Sequence, residues 1–202
     1  MNVIYLSPSY TTPVGGVRMF YIQAERLNRL GLSCSVYHPE KPDFLHDWFE
    51  HSLKLRDTQV FNQSTDLLVV PEIWTLSYAA QCMEAGGKYG IFVQNGYLLN
   101  QELKPGMERR LRDVYHNARI IMTISEEVEK FLRLAFPDLD ERKIFRCTPY
   151  ISAGFVPKTK RKIVTYMPRK ISEQSEIICF FLKQYLPPDW SIVRVENMTD
   201  SE

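Results

Sequence analysis

A glycine pair separates the first apolar segment of the chain from a stretch of helical periodicity. In Pro13-Val14-Gly15-Gly16-Val17-Arg18, the glycines let the backbone approach a ligand closely, and the N-terminus of the following helix offers free N–H groups to an anion. The dinucleotide pattern G-x-G-x-x-G and the P-loop pattern G-x-x-x-x-G-K-[ST] are both absent from the sequence. The pair therefore predicts phosphate contact outside the standard nucleotide motifs, and a flexible turn before the helix is the alternative.

Polar side chains also follow two later strand-like segments. Glu72 comes directly after an apolar run at 66–70, and the run at 90–93 is followed by Gln94, Asn95 and Tyr97. Ligands of parallel α/β sheets bind outside the carboxyl ends of the strands, so these side chains are candidates for a substrate cleft. The two amides can hydrogen-bond hydroxyl groups but cannot act as an acid or base. A capping role is the alternative for Glu72.

Two other sets of reactive side chains carry weaker signals. Ser125 lacks a surrounding G-x-S-x-G elbow, so we expect it to cap a helix that begins with Glu126 and Glu127, not to act as a nucleophile. His46 and His51 lie among acidic residues, but on a helix a five-residue step rotates the side chain by about 140°. The two imidazoles would then diverge, and we predict no metal site from this group, which also contains Asp43, Asp47 and Glu50.

Composition excludes several classes of protein. The 202 residues are 45% apolar and 12% aromatic with a formal net charge of +1, which is incompatible with a disordered chain. No apolar run approaches the roughly 18 residues that a membrane span needs, and the N-terminus lacks the pattern of a signal peptide. Four scattered cysteines without a CxxC pair suit free thiols in a reducing compartment. We therefore expect a cytoplasmic location, with association at the inner face of the membrane as a further possibility.

The near-zero net charge conceals a basic middle. Residues 104–170 carry 16 basic and 8 acidic side chains, whereas both flanking segments are acidic. The segment 104–119 could contact acidic lipid head groups as a peripheral membrane site, and a solvated helix face is the alternative. The short run Lys158–Lys162 is weak evidence for nucleic-acid contact, so a nucleic-acid partner is not expected.

Apolar runs alternate with helical patterns over residues 1–147, which predicts parallel β-α-β units in an α/β, Rossmann-like sheet of about six strands with helices on both faces. Gly31 is a natural helix C-cap, Thr75–Ala85 is predicted as a helix, and Pro105 is predicted as the first residue of a helix reaching Asn117. The region 39–65 has mixed periodicity. The predicted strands are 2–7, 33–37, 66–70, 90–93, 119–124 and 143–147.

The end of the chain is organised differently. Residues 151–162 carry linker signals, and residues 163–202 then contain one β-α-β unit: strand 163–167, helix 172–186 and strand 191–195. A unit of about 40 residues does not bury a core by itself. We therefore expect it either to pack on the first domain, 1–150, or to be the truncated start of a second domain.

The stretches GGVRMFYIQAERLNRLG, IMTISEEVEKFL, IFRCTPYISAGFVP and KIVTYMPRK resemble, in order and spacing, GT-B glycosyltransferases of the retaining family-4 type. The form Tyr-Met-Pro-Arg-Lys is similar to enzymes of bacterial polysaccharide assembly, including rhamnan assembly. The resemblance implies that 1–150 is the acceptor-side domain and that 163–202 opens the donor-binding domain. Two glutamates seven residues apart and a histidine after the fourth strand, which the family carries, have no match here.

The resemblance also implies roles for individual residues. Donor phosphates would contact Gly15, Gly16, Arg169 and Lys170, and the acceptor side of the cleft would contain Arg18, Glu72, Gln94, Asn95, Tyr97 and Ser125. The implied activity is sugar transfer from a nucleotide-sugar to a glycan or lipid-linked acceptor, without a cofactor, and we expect it to be absent or weak in this chain by itself. The alternative is a non-catalytic module that docks a glycan, a membrane surface or a partner subunit, where a partner chain or a dimer completes the second domain.

Overall fold

The computed structural model describes residues 1–41, 49–53, 55–56, 60–149, 159–168 and 172–195. The chain divides into two compact units, Met1–Tyr150 and Ile151–Glu202. Each unit is an α/β structure, and each is described by itself below.

A six-stranded parallel sheet forms the centre of the first unit. Its order is β2-β1-β3-β4-β5-β6, and every neighbouring pair is parallel. The predicted Rossmann-like sheet of about six strands is therefore confirmed. The strands are β1 (Asn2–Leu6), β2 (Ser33–Tyr37), β3 (Asp66–Pro71), β4 (Lys88–Val93), β5 (Ile120–Thr123) and β6 (Ile144–Arg146).

Helices cover both faces of this sheet, as its apolar strands require. The α-helices are α1 (Gly15–Arg29), α2 (Ala80–Glu84), α3 (Glu108–Asn117) and α4 (Glu126–Ala135). Alternate residues of β1 point to opposite faces, so Tyr5 lies in the core beneath α1, whereas Ile4 lies in the core shared with α2, α3 and α4. Three short 3₁₀ turns lie at Glu72–Trp74, Gly96–Leu98 and Glu141–Lys143.

In the described part of the segment between β2 and β3, one residue bridges to the sheet. Arg56 forms an isolated parallel bridge with Tyr37 at the outer edge of β2, and its N–H donates to the carbonyl of Val36 at 3.0 Å. Phe49 and Leu53 pack against the core beneath α1. If this bridge is counted as a strand, the order begins as 3-2-1-4-5-6, which is the Rossmann order.

The structure confirms one predicted helix boundary and contradicts another. Gly31, at φ 83°, follows α1 and completes a Schellman motif. In this motif the Leu32 N–H donates to the carbonyl of Leu27, and the Gly31 N–H donates to the carbonyl of Asn28. The predicted start of α3 at Pro105 is wrong, because the helix begins at Glu108. Residues 104–107 form a turn closed by Met107 N–H and the Lys104 carbonyl at 3.0 Å, and Gly106 takes the φ of 86° that this turn requires.

The predicted helix at 75–85 changes type along its length. A π-helical turn at Thr75–Ala79 precedes the α-helical residues Ala80–Glu84. Glu102 accepts hydrogen bonds from the N–H groups of Leu76 at 2.6 Å and Ser77 at 3.2 Å. This carboxylate from a distant loop satisfies the first free N–H groups of the segment, which the local sequence pattern does not reveal.

The second unit is the predicted β-α-β. Strands β7 (Ile163–Tyr166) and β8 (Ser191–Arg194) pair in parallel, and the helix α5 (Ser172–Tyr185) connects them. Cys179 is the only buried residue among those described in α5. Within its described residues this unit therefore has a much smaller core than the first unit.

Candidate functional site

The order in which the chain adds strands to the sheet reverses at β1, and α/β sheets generally have a crevice at the carboxyl edge of such a switch point. The chain leaves β1 through α1 to β2 on one side, and then returns across β1 to β3 on the other side. The loops that follow β1 and β3 diverge at such a switch point, and α/β proteins bind ligands there. Residues 7–14 and Glu72 follow these two strands, so they lie at this edge of the sheet.

The N-terminus of α1 lies after the first of these loops without a protein cap. Val14 precedes the helix in extended conformation, with φ −129° and ψ 113°, and among the described residues no side chain caps it. The first turn contains no acidic residue. The free N–H groups and the positive end of the helix dipole therefore favour an anion at Gly15 and Gly16.

The two glycines have different surroundings. A Cβ atom added at Gly15 would meet no described atom within 4 Å, whereas one at Gly16 would lie 3.0 Å from Oε1 of Gln94. The side-chain amide of Gln94 also donates to the carbonyl of Gly16 at 3.0 Å. Gly16 thus lies in close contact with the side chain of Gln94, which follows β4, and Gly15 leaves open space at the helix N-terminus.

Hydrogen bonds then connect the ends of β3 and β4. The Asn95 N–H donates to Oε1 of Glu72 at 2.9 Å, and Oδ1 of Asn95 accepts from the Tyr97 N–H at 3.0 Å. The structure therefore brings together Gly16, Glu72, Gln94, Asn95 and Tyr97, all of which were singled out in the sequence. Glu72 does not cap the helix that follows it, and instead fixes the loop after β4.

Glu72 is a titratable group of this edge whose pKa is strongly affected by its surroundings. It is 4% exposed, and burial raises the pKa of its carboxyl to about 7, against the lowering effect of hydrogen bonds from backbone N–H groups including those of Gln94 and Asn95. A carboxyl with this pKa can hold or release a proton near neutral pH, which suits general acid–base chemistry at a ligand edge.

The remaining cleft candidates are placed as follows. Tyr97 is 73% exposed, and its ring centroid lies 4.5 Å from that of Phe131 on α4. The hydroxyl of Ser125 accepts from the Val128 N–H at 3.2 Å, so its predicted capping role is confirmed. The guanidinium of Arg18 lies 6.0 Å from the ring centroid of Phe49.

Some predictions lie outside the described residues. Arg169 and Lys170, which the family resemblance assigns to donor phosphates, belong to this group, and so does His46. His51 is described, and its ring lies 4.7 Å from that of Tyr21. Within the described ranges, no three His, Cys, Asp or Glu side chains gather as they would around a metal ion.

Sequence reasoning missed a buried pair at the same edge. The hydroxyl of Tyr21 and Nε2 of His38 lie 2.6 Å apart, and burial lowers the pKa of His38 to about 4. His38 directly follows β2, so its position after a strand was a usable signal. Phe131 and Glu127, which contact Tyr97, are four residues apart on α4 and therefore share a helix face.

The basic segment 104–119 is largely engaged with carboxylates. Arg110 pairs with Glu84 at 2.5 Å, and Arg112 pairs with Asp138. Arg109 lies 4.0 Å from Asp113, and Lys104 and Arg119 are exposed. This pairing is typical of a solvated helix face. None of the helices in the described part of the chain has the length and apolar character needed to cross a membrane.

The fold defines the chain as a Rossmann-like α/β protein, and its candidate site lies at the switch point of the sheet, where proteins of this architecture bind ligands. No model of a protein family matches the chain, and no curated protein matches its sequence. Any more specific function therefore rests on the residues themselves.

Proposed function

We propose that the first unit is the acceptor-side domain of a GT-B-type glycosyltransferase, which transfers a sugar from a nucleotide-sugar to a glycan or lipid-linked acceptor. The observation that carries this proposal is the junction of an uncapped helix N-terminus with a hydrogen-bonded polar edge. Gln94 contacts Gly16 at 3.0 Å, and Asn95 contacts Glu72 at 2.9 Å. Such an arrangement offers a diphosphate site and an acceptor hydroxyl site side by side.

The diphosphate of the donor would bind at the N-terminus of α1. The N–H groups of Gly15 and Gly16 and the helix dipole would stabilise the negative charge that develops on the leaving phosphate. In this reaction the bond between the sugar C1 and the phosphate oxygen breaks, and a bond forms between C1 and the acceptor oxygen.

The acceptor hydroxyl would lie against the edge formed by Gln94, Asn95 and Glu72. The amide side chains orient the hydroxyl, and its proton leaves on the departing phosphate oxygen. Glu72 accepts a hydrogen bond from the Asn95 N–H and so fixes the position of Asn95. Its carboxyl also changes charge near neutral pH, because its pKa is raised to about 7. Positioning and phosphate stabilisation then supply most of the rate acceleration, without a protein nucleophile.

The diphosphate site is tested with ¹⁵N-labelled full-length chain, titrated with UDP, GDP and dTDP and separately with inorganic phosphate. We expect the largest amide shifts at Gly15–Arg18 with at least one nucleoside diphosphate. Gly15→Ala should leave the melting temperature of the free protein unchanged, because its Cβ meets no described atom within 4 Å, and should weaken binding at least tenfold. Equal affinity in this variant, or shifts located elsewhere, would contradict the proposal.

Activity is tested by measuring nucleoside diphosphate release from a panel of nucleotide-sugars with neutral oligosaccharide acceptors. Gln94→Ala should lower turnover more than it lowers diphosphate affinity, because the proposal assigns this amide to the acceptor hydroxyl. If diphosphate binds at α1 and the whole panel gives no transfer, a binding role is favoured over catalysis.

A non-catalytic docking module is the second candidate, and the surface of α5 favours it. Ile177, Ile178, Phe180 and Phe181 are each more than half exposed, at 53% to 61%. A helix that is apolar around most of its circumference normally packs against further polypeptide. Light scattering during gel filtration distinguishes the two, since a concentration-dependent dimer supports docking and a monodisperse monomer counts against it.

A further inference from the structure

We propose that Tyr97 and Phe131 form an aromatic platform that binds the ring face of a neutral pyranose, with Glu127 as acceptor for its hydroxyl groups. The inference rests on the proposed function where it identifies this sugar as part of the acceptor. The platform itself is defined by contacts within the first unit. The name aromatic platform refers below to the pair Tyr97 and Phe131, and Glu127 lies beside it.

Tyr97 is held in place although it is exposed. Asn95 accepts the Tyr97 N–H at 3.0 Å through its side chain and the Leu98 N–H at 3.1 Å through its carbonyl. Gly96 lies so close to α4 that an added Cβ would be 2.7 Å from the Cβ of Phe131. The backbone below the ring is therefore fixed against both β4 and α4.

A rigid exposed aromatic ring is suited to recognition. Tyr97 is 73% exposed, and its ring packs against that of Phe131 with 4.5 Å between the centroids and 56° between the ring planes. An aromatic face carries partial negative charge, so it attracts the C–H groups that cover one side of a pyranose ring. Tyrosine also provides a large contact area with little loss of side-chain entropy.

The charges around the ring favour a neutral polyol over a phosphate. Oε1 of Glu127 lies 3.4 Å from the Tyr97 hydroxyl. Its neighbours on α4 are paired, Glu126 with Lys130 at 2.8 Å and Glu129 with Arg146 at 2.7 Å. Among the described residues no cation pairs with Glu127, so its oxygens remain able to accept from sugar hydroxyls, and its charge repels nucleotide phosphates.

The platform also continues the polar edge of the crevice. Gln94 contacts Gly16, Asn95 contacts Glu72, and Tyr97 is bound to Asn95. A sugar stacked on Tyr97 would therefore project a hydroxyl group along the carboxyl edge of the sheet toward the N-terminus of α1. This order places a neutral sugar and an anionic phosphate on successive parts of one edge.

The test is saturation-transfer NMR of the full chain with methyl glycosides of glucose, galactose, mannose and rhamnose, together with their trisaccharides. We expect at least one saccharide to receive saturation on the C–H groups of one ring face. Tyr97→Ala should weaken its binding roughly tenfold, which corresponds to about 1.4 kcal/mol. Tyr97→Phe should retain binding, and Glu127→Gln should weaken it less than Tyr97→Ala.

Tyr185→Ala is the matched control, because it removes another exposed tyrosine, 80% exposed, from α5. Circular dichroism of each variant establishes that it is folded. The platform would be overturned if Tyr97→Ala bound saccharides as well as the wild type, or if none of the saccharides bound. It would also be overturned if a nucleoside or tetramethylammonium bound at Tyr97 more strongly than every saccharide.

The two proposals fail separately in these experiments. If diphosphates do not bind at α1 but saccharides bind at Tyr97, the glycosyltransferase assignment fails and the platform stands. If diphosphates bind at α1 with an affinity that Tyr97→Ala does not change, and saccharides do not bind, the platform fails and the donor site stands.

Discussion

Glu72 is a carboxyl group in an environment that disfavours its charge. It is 4% exposed at the end of β3, and its bond from Asn95 N–H offsets part of the desolvation. Its raised pKa means that the folded protein holds a proton which the unfolded chain releases at lower pH. Because this carboxyl destabilises the fold at neutral pH, its retention at the carboxyl edge of the sheet supports the site role that we propose for it.

Replacement of this carboxyl should stabilise the protein in a pH-dependent manner. The folded state binds more protons than the unfolded state between pH 4.5 and about 7, so the free energy of unfolding falls as the pH rises through this window. Glu72→Gln keeps an oxygen that can accept from the Asn95 N–H, and it removes the loss of stability caused by ionisation of the carboxyl. In urea unfolding we expect it to be as stable as the wild type at pH 4 and roughly 3 kcal/mol more stable at pH 8.

The neighbouring His38 imposes the opposite slope. Burial lowers the pKa of its imidazole to about 4, so stability rises with pH between about 4 and 6.5 in both proteins. Only the difference between Glu72→Gln and wild type isolates the carboxyl. Glu108→Gln, at the exposed start of α3, controls for the loss of one negative charge and should differ from wild type by a few tenths of a kcal/mol. A pH-independent difference for Glu72→Gln would refute the buried-carboxyl interpretation.

At the scale of elements, the cap of α4 shows how far local patterns reach. Ser125 followed by Glu126 and Glu127 is a complete signal for a helix N-terminus in the sequence. In the structure, Ser125 has extended conformation and caps α4 as predicted. The start of α3 shows the opposite case. Proline suits either the first turn of a helix or the second position of a turn, and Gly106 at φ 86° decides for the turn.

Removal of the cap should destabilise α4 without altering the crevice. Ser125→Ala should lower the free energy of unfolding by about 1 kcal/mol, because the Val128 N–H loses its acceptor, and Ser125→Thr should restore most of it. Urea titration followed by circular dichroism measures this loss. Ser33→Ala, at the exposed start of β2, is the control and should have little effect.

The same variants test the cleft role that the family resemblance implies for Ser125. If Ser125→Ala weakens diphosphate or saccharide binding while Ser125→Thr does not restore it, the hydroxyl contacts ligand as well as the helix N-terminus. If binding is unchanged in both variants, the residue acts only as a cap.

At the scale of the whole molecule, the two units differ in how much of their backbone is protected by a core. Strands β1, β3 and β4 are buried along most of their length, whereas β7 and β8 contain no buried residue among those described. Local opening is easiest where few apolar side chains are buried. Stability should therefore be distributed unequally along the chain.

Hydrogen exchange followed by mass spectrometry should resolve this difference in the full chain. We expect amides of β3 and β4 to exchange slowest, and amides of β7, α5 and β8 to exchange at least a hundredfold faster. Addition of a binding partner or dimer formation at high concentration should slow exchange in α5 selectively. Equal protection of both units would show that the second unit has a stable core of its own.

The sequence by itself determined the types of the elements and their order along the chain. Periodicity, helix caps and strand-end positions are local properties, so they sufficed for the parallel sheet, for the caps at Ser125 and Gly31, and for the selection of Glu72, Gln94, Asn95 and Tyr97. Only the tertiary structure decided which of these residues meet. The Glu72–Asn95 hydrogen bond, the Gln94–Gly16 hydrogen bond and the Tyr97–Phe131 ring contact join residues 23, 78 and 34 positions apart. Their formation depends on strand order and close packing, and no local pattern encodes either.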